Sequence, residues 1–88
     1  MRVLVVEDDR RLAAVLVRGL SESGFVVVHV SEGNAAVATA WTGSFDAIVL
    51  DVMLPGSLDG FDVAAQLRAR HVATPVLMLT GRDAVEAR

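Results

Sequence analysis

Three short apolar runs, each stopping on an oxygen-bearing side chain, constrain this 88-residue chain more than any other feature. Val3-Leu4-Val5-Val6 ends in Glu7-Asp8-Asp9, Ala47-Ile48-Val49-Leu50 ends in Asp51, and Val76-Leu77-Met78-Leu79 ends in Thr80. Runs that are apolar at every position suit strands buried on both faces, the pattern of a parallel sheet. In a parallel sheet all three strand ends lie on one edge, and open α/β sheets bind their ligands along that carboxyl edge.

The segments between the runs carry helical spacing. Residues 2–6 read as the first strand. Asp9 is placed to cap a helix in which Leu12, Ala13, Leu16, Val17 and Leu20 recur on one face, with Arg10, Arg11, Arg18 and Glu22 outside and Gly24 at its end. Residues 25–30 read as a second strand, and His29 places it at the sheet edge. A second helix runs to about Trp41, with Ala36, Val37, Ala40 and Trp41 on its inner side and Gly43 closing it. Residues 46–51 form the third strand. Residues 53–60 read as a loop, because Pro55-Gly56 and Asp59-Gly60 are turn signals. A third helix over about 61–70 buries Val63, Ala64 and Leu67, strand four spans 76–80, and another helix begins at Arg82. Strands alternating with helices predict an α/β fold with helices on both faces of the sheet.

Composition narrows the function classes. A single domain is expected from this length, and 53% hydrophobic residues suffice for a core. There is no cysteine, so no disulfide framework is expected, and the lack fits a reducing compartment. The chain enters a strand at once, leaving no room for a signal peptide, and no apolar run approaches membrane-spanning length. A cytoplasmic protein without a membrane partner is the expectation. The net charge of −3 offers no footprint for direct nucleic-acid binding. Every basic residue that titrates above neutrality is arginine, and lysine does not occur.

The acids carry the chemistry. Glu7 and Asp8 end one strand and Asp51 ends another that should neighbour it. Carboxylates crowded there repel one another unless a cation lies between them. Magnesium suits such a site, since it takes one or two carboxylates and keeps several waters. A carboxylate beside the ion can act as a nucleophile toward phosphorus, giving an acyl phosphate. Thr80, at the next strand end, offers a hydroxyl to a phosphoryl oxygen.

With these residues assembled, the chain resembles the receiver domain of two-component response regulators, most closely the OmpR/PhoB type. Val3 to Asp9 is similar to that family's first strand and acidic cluster. Asp51-Val52-Met53-Leu54-Pro55-Gly56 with Asp59-Gly60 is similar to its phosphorylation strand and loop, and Leu77 to Ala84 to its fourth strand, switch residue and fourth helix. The resemblance implies a flavodoxin-like doubly wound parallel sheet of order 2-1-3-4-5, of which this chain holds 2-1-3-4. It implies that Asp51 accepts the phosphoryl group from a sensor histidine kinase. It further implies that Asp8 and Asp51 ligate Mg²⁺ directly, that Glu7 acts through water, that Met53 contributes its backbone carbonyl, and that Thr80 senses the phosphoryl group. The protein would regulate transcription through a DNA-binding domain that these residues do not include. It would be an acceptor that assists only its own phosphorylation, not an enzyme.

The sequence also departs from that pattern. The lysine that receivers carry after a fifth strand has no counterpart, and neither the fifth strand nor the fifth helix is present. Residues 1–88 are therefore expected to be a receiver domain truncated within helix four, with no second domain. Strand four would then be an open edge, and apolar surface near strands one, three and four would be bare. Self-association is expected, as a dimer or swapped oligomer through that edge. The loop around Ser57-Leu58 is one residue longer than the family's usual pattern, a tolerated surface insertion. Arg82 is expected to face solvent rather than replace the lysine. The alternative function is a degenerate or fragment receiver acting only as a dimerisation or interaction module. Enzyme readings are poor: position 53 lacks the second acid of an aspartyl phosphatase, and no glycine-rich phosphate loop occurs.

Overall fold

The computed structural model describes residues 1–79. The chain alternates strand and helix: β1 (Arg2–Val6), α1 (Arg10–Glu22), β2 (Val26–Val30), α2 (Gly33–Thr42), β3 (Ala47–Asp51), α3 (Gly60–Ala69) and β4 (Val76–Leu79). The four strands form one sheet in the order β2-β1-β3-β4. All pairings are parallel, with Val6 opposite both Val30 and Leu50, and Asp51 opposite Leu79. The fold is thus a parallel 2-1-3-4 sheet of the flavodoxin-like kind, as the family resemblance implied.

Side chains alternate across the sheet, and the two faces are covered differently. Leu4, Val6, Ile48 and Leu50 point to the face where α2 and α3 pack through Ala36, Val37, Ala40, Val63 and Leu67. Val3 and Val5 point the other way, toward α1, which contacts β1 and β2. Both faces of β1 are therefore closed, and Val3, Leu4, Val5 and Val6 are at most 3% exposed. Expectation and structure differ here. β1 is not bare, because α1 lies over it. Within the sheet the exposed apolar side chains lie on the outer strands, Leu77 of β4 at 63% and Val26 of β2 at 58%.

Local chemistry fixes the helix ends. Asp9 caps α1, its Oδ1 accepting from the amides of Arg11 at 2.9 Å and Leu12 at 3.1 Å. Gly24 turns the chain out of α1 with φ +95°, a conformation in which a Cβ is strained. The amide of Phe25 then bonds the carbonyl of Leu20 at 3.1 Å, closing the helix end. Asp59 and Asp62 cap α3 reciprocally. Asp59 Oδ1 accepts from the Asp62 amide at 2.8 Å, and Asp62 Oδ2 accepts from the Asp59 amide at 3.0 Å. The Asp59-Gly60 turn signal therefore marks a helix start, and α3 begins one residue earlier than its apolar spacing suggested.

Two core expectations are corrected. Trp41 is 59% exposed, with the Arg70 guanidinium 5.0 Å from its ring centre, because Ala36, Val37 and Ala40 already fill the contact with the sheet. Leu12 is 41% exposed, because the first turn of α1 overhangs the strand ends rather than the sheet. His29 lies on the edge strand β2, as expected. No helix among the described residues is long and apolar enough to cross a membrane. Thr80, Arg82 and the expected fourth helix lie outside the described residues.

Candidate metal centre

The site is built on the ends of β1 and β3. The amide of Glu7 bonds the Val30 carbonyl at 3.1 Å, extending the β1–β2 ladder by one rung. The His29 ring reaches the Glu7 carbonyl at 2.8 Å. Glu7 is thus fixed by the neighbouring strand, and its side chain is driven inward to 2% exposure. Its Oε2 accepts from the Asp9 amide at 3.1 Å, whereas the buried Oε1 has no hydrogen-bond partner among the described residues. A buried carboxylate oxygen without a partner is costly and calls for a proton or a cation. Burial pushes the Glu7 carboxyl above its ordinary value. The neighbouring Asp51 and Asp8 charges push the same way, and the Asp9 amide opposes them.

Asp51 is the last residue of β3 and is 9% exposed. Its Oδ1 accepts from the Met53 amide at 3.2 Å, which leaves Oδ2 as the less engaged oxygen. Backbone bonds hold the strand end in place: Val52 N–H to the Leu79 carbonyl at 3.0 Å, and Gly60 N–H to the Val52 carbonyl at 2.8 Å. Asp8 is exposed at the rim.

One carboxylate oxygen from each of Glu7, Asp8 and Asp51 lies within 4.8 Å of the others. They open into a cleft of about 290 Å³ at the carboxyl edge of the sheet. Three carboxylates gathered around a partly open cleft, one with an orphaned buried oxygen, fit a hard divalent cation with water or phosphate in its remaining positions. Met53 also lines this cleft, its side chain 66% exposed, and its amide is the group seen to engage Asp51.

Three further residues line the cleft, of which the sequence had marked Asp9 only as part of the acidic run and a helix cap, and Leu12 and Leu79 only as core. Asp9 lines it and supplies the amide that holds Glu7, beyond its role as a helix cap. Leu12 and Leu79 form its apolar wall. Leu12 was legible in principle: a residue in the first turn after an N-cap lies beside the strand end that precedes it.

The family model described as the response regulator receiver domain matches residues 3–88. The transcriptional regulatory protein TcrA of Mycobacterium tuberculosis is 54% identical over 88 residues, all of this chain and 34% of that protein. The chain therefore spans about a third of that curated relative's length. Among solved structures, the receiver domain of sensor histidine kinase PA1611 from Pseudomonas aeruginosa PAO1, crystallised with a magnesium ion coordinated in its active site cleft, superposes with a TM-score of 0.87. It is 32% identical and covers 92% of this chain and 67% of its own. A chain from the complex of histidine kinase ThkA with response regulator protein TrrA superposes with a TM-score of 0.82 at 29% identity, covering 91% of this chain and 68% of its own. Fold, acidic cluster and sequence similarity agree: the chain belongs to the response regulator receiver domain family.

Proposed function

We propose that this receiver accepts a phosphoryl group on Asp51 from a sensor histidine kinase in the cytoplasm, with Mg²⁺ held by Asp8 and Asp51 and reached by Glu7 through water. The observation that carries the reading is the convergence of the Glu7, Asp8 and Asp51 oxygens within 4.8 Å, beside an open cleft. Glu7 is the buried member of the three, and its unpartnered oxygen supports a role through water. The carbonyl of Met53 would complete the protein ligands, and Thr80 would bond the phosphoryl group.

The acceptor chemistry follows from Asp51. Its Oδ1 is engaged by the Met53 amide, so Oδ2 attacks phosphorus. The new O–P bond forms as the N–P bond of the donor's phosphohistidine breaks, and the imidazole leaves with its electron pair. Mg²⁺ bound at the site would neutralise charge on the transferring phosphoryl oxygens. Glu7 and Asp8 hold the ligand set, and the chain turns over no external substrate. Phosphorylation would in turn bias a DNA-binding domain linked to the receiver, as the relationship to a transcriptional regulator suggests.

A second reading is an interaction module that is not phosphorylated. One experiment separates the two. Incubation with a small acyl phosphate and Mg²⁺, followed by intact-mass measurement, is expected to add one phosphoryl group. The gain should vanish with chelator and in Asp51→Asn. No gain in the folded wild type, or an equal gain in Asp51→Asn, would refute the acceptor role.

A further inference from the structure

Two unlike bonds tie the backbone of Glu7 to β2. Its amide donates to the Val30 carbonyl at 3.1 Å, as a further rung of the parallel ladder would. In a parallel ladder the N–H and C=O of one residue point to the same neighbouring strand and bond to residues two apart on it. The Glu7 carbonyl would therefore take the amide two residues beyond Val30, that of Glu32. But β2 ends at Val30, and Glu32 is the N-cap of α2, its own carbonyl accepting from the Ala36 amide at 3.0 Å. The chain has turned into the helix, and no backbone amide among the described residues reaches the Glu7 carbonyl. The His29 ring takes that place, its Nε2 2.8 Å from the oxygen. A carbonyl only accepts, so the ring donates from Nε2.

The consequence lies at the acids. The Glu7 carbonyl belongs to the planar peptide that joins Glu7 to Asp8, so holding it sets the direction in which the chain leaves the sheet toward Asp8. His29 is exposed on the edge strand, and its ring stays outside the acidic cleft. We infer that His29 is a positioning residue for the metal centre: its Nε2–H orients the Glu7–Asp8 peptide and so sets the Asp8 carboxylate against those of Glu7 and Asp51. This role rests on the reading of the acidic cluster as a Mg²⁺ site, and it needs no contact between ring and ion. One such hydrogen bond contributes modestly to the fold. Metal affinity depends on where the ligands are held, and outer-shell partners weigh heavily there.

The test is calorimetric titration of the whole chain with Mg²⁺, parent against His29→Val and His29→Gln, with urea midpoints measured on the same samples. Valine suits the strand and removes the donor, whereas glutamine offers an amide N–H at a reach similar to that of Nε2. His29→Val should raise the dissociation constant about tenfold, the low end of what outer-shell partners contribute. His29→Gln should recover most of that loss. Ser23→Ala, which removes a bond to the Gly19 carbonyl at the far end of α1, should leave the affinity unchanged. Affinity in His29→Val equal to the parent's would overturn the inference, and so would a glutamine variant as weak as the valine one. Ring-nitrogen NMR of the parent, with the imidazole neutral, needs no variant to fold: the Nε2–H tautomer is expected, and the Nδ1–H tautomer would overturn the bond. A parent without any saturable site would refute the metal reading itself, and the inference with it, which distinguishes the two failures.

Discussion

Glu7 and Asp51 stand one step beyond Val6 and Leu50, a directly opposed pair in the β1–β3 ladder, so one register carries both carboxylates to the same sheet edge. Both are buried, Glu7 at 2% and Asp51 at 9% exposure. The relationship is electrostatic as well as spatial. Burial disfavours ionisation of Glu7, which has one oxygen unpartnered, and the nearby Asp51 charge adds to the effect.

The pH dependence follows with a definite sign. Glu7 titrates above its ordinary value of 4.5 in the folded chain, first because it is buried and then because of Asp51 and Asp8. Between the unfolded and folded values the native state holds more protons, so stability falls as pH rises from about 4.5 through the folded value and levels off above it. In a divalent-free buffer, urea midpoints should decline over that window. Glu7→Gln should flatten the decline, and Mg²⁺ should offset it in the parent. A Glu7→Gln variant with the parent's full pH slope would contradict this origin.

Gly60 underpins the end of β3. A Cβ placed on it would run into the Asp51 carbonyl oxygen and lie 2.7 Å from Val52 Cα. Both are backbone atoms of the strand end and cannot rotate away. Gly60→Ala should cost about 1–3 kcal/mol, the usual range for overpacking, with the denaturant m-value unchanged. It should also weaken Mg²⁺ binding by shifting Asp51. An alanine variant of parental stability and affinity would show that the contact is not tight.

The Asp59–Asp62 box holds the start of α3, and α3 holds the loop that follows Asp51. Asp59→Ala removes an N-cap and should cost about 1 kcal/mol. The loss should appear as a lower urea midpoint, while Asp51→Asn, which leaves the cap intact, should not reproduce it. Equal stability of Asp59→Ala and parent would place the helix start elsewhere.

Much of this arrangement was legible in the order of residues. The apolar runs in β1 and β3 have no polar interruption, so their burial and the acids that end them could be read directly. Parallel pairing put these strand ends on one edge, and the strand order implied by the family resemblance made β1 and β3 neighbours, which brings Glu7, Asp8 and Asp51 together. What escaped the sequence depended on neighbours distant in the chain. Trp41 looked like a core residue by spacing, yet the small side chains of Ala36 and Ala40 bring α2 so close that no room remains beneath it. The Asp59 cap looked like a turn, because Asp-Gly serves both purposes and the reciprocal bond to Asp62 decides between them. Bare surface near β1 was expected for want of a fifth helix, yet α1 covers that face of the strand, a placement that depends on packing rather than on the residues of β1.

The central claim is that the carboxylates of Glu7, Asp8 and Asp51 serve one ion. Calorimetric titration of the folded chain with Mg²⁺ tests it most directly. The account predicts a single saturable site. Asp8→Ala and Asp51→Asn should each weaken it by about tenfold or more, since losing even an outer-shell partner of a metal ligand commonly costs that much. Undiminished binding in both variants, or no saturable binding in the wild type, would contradict it.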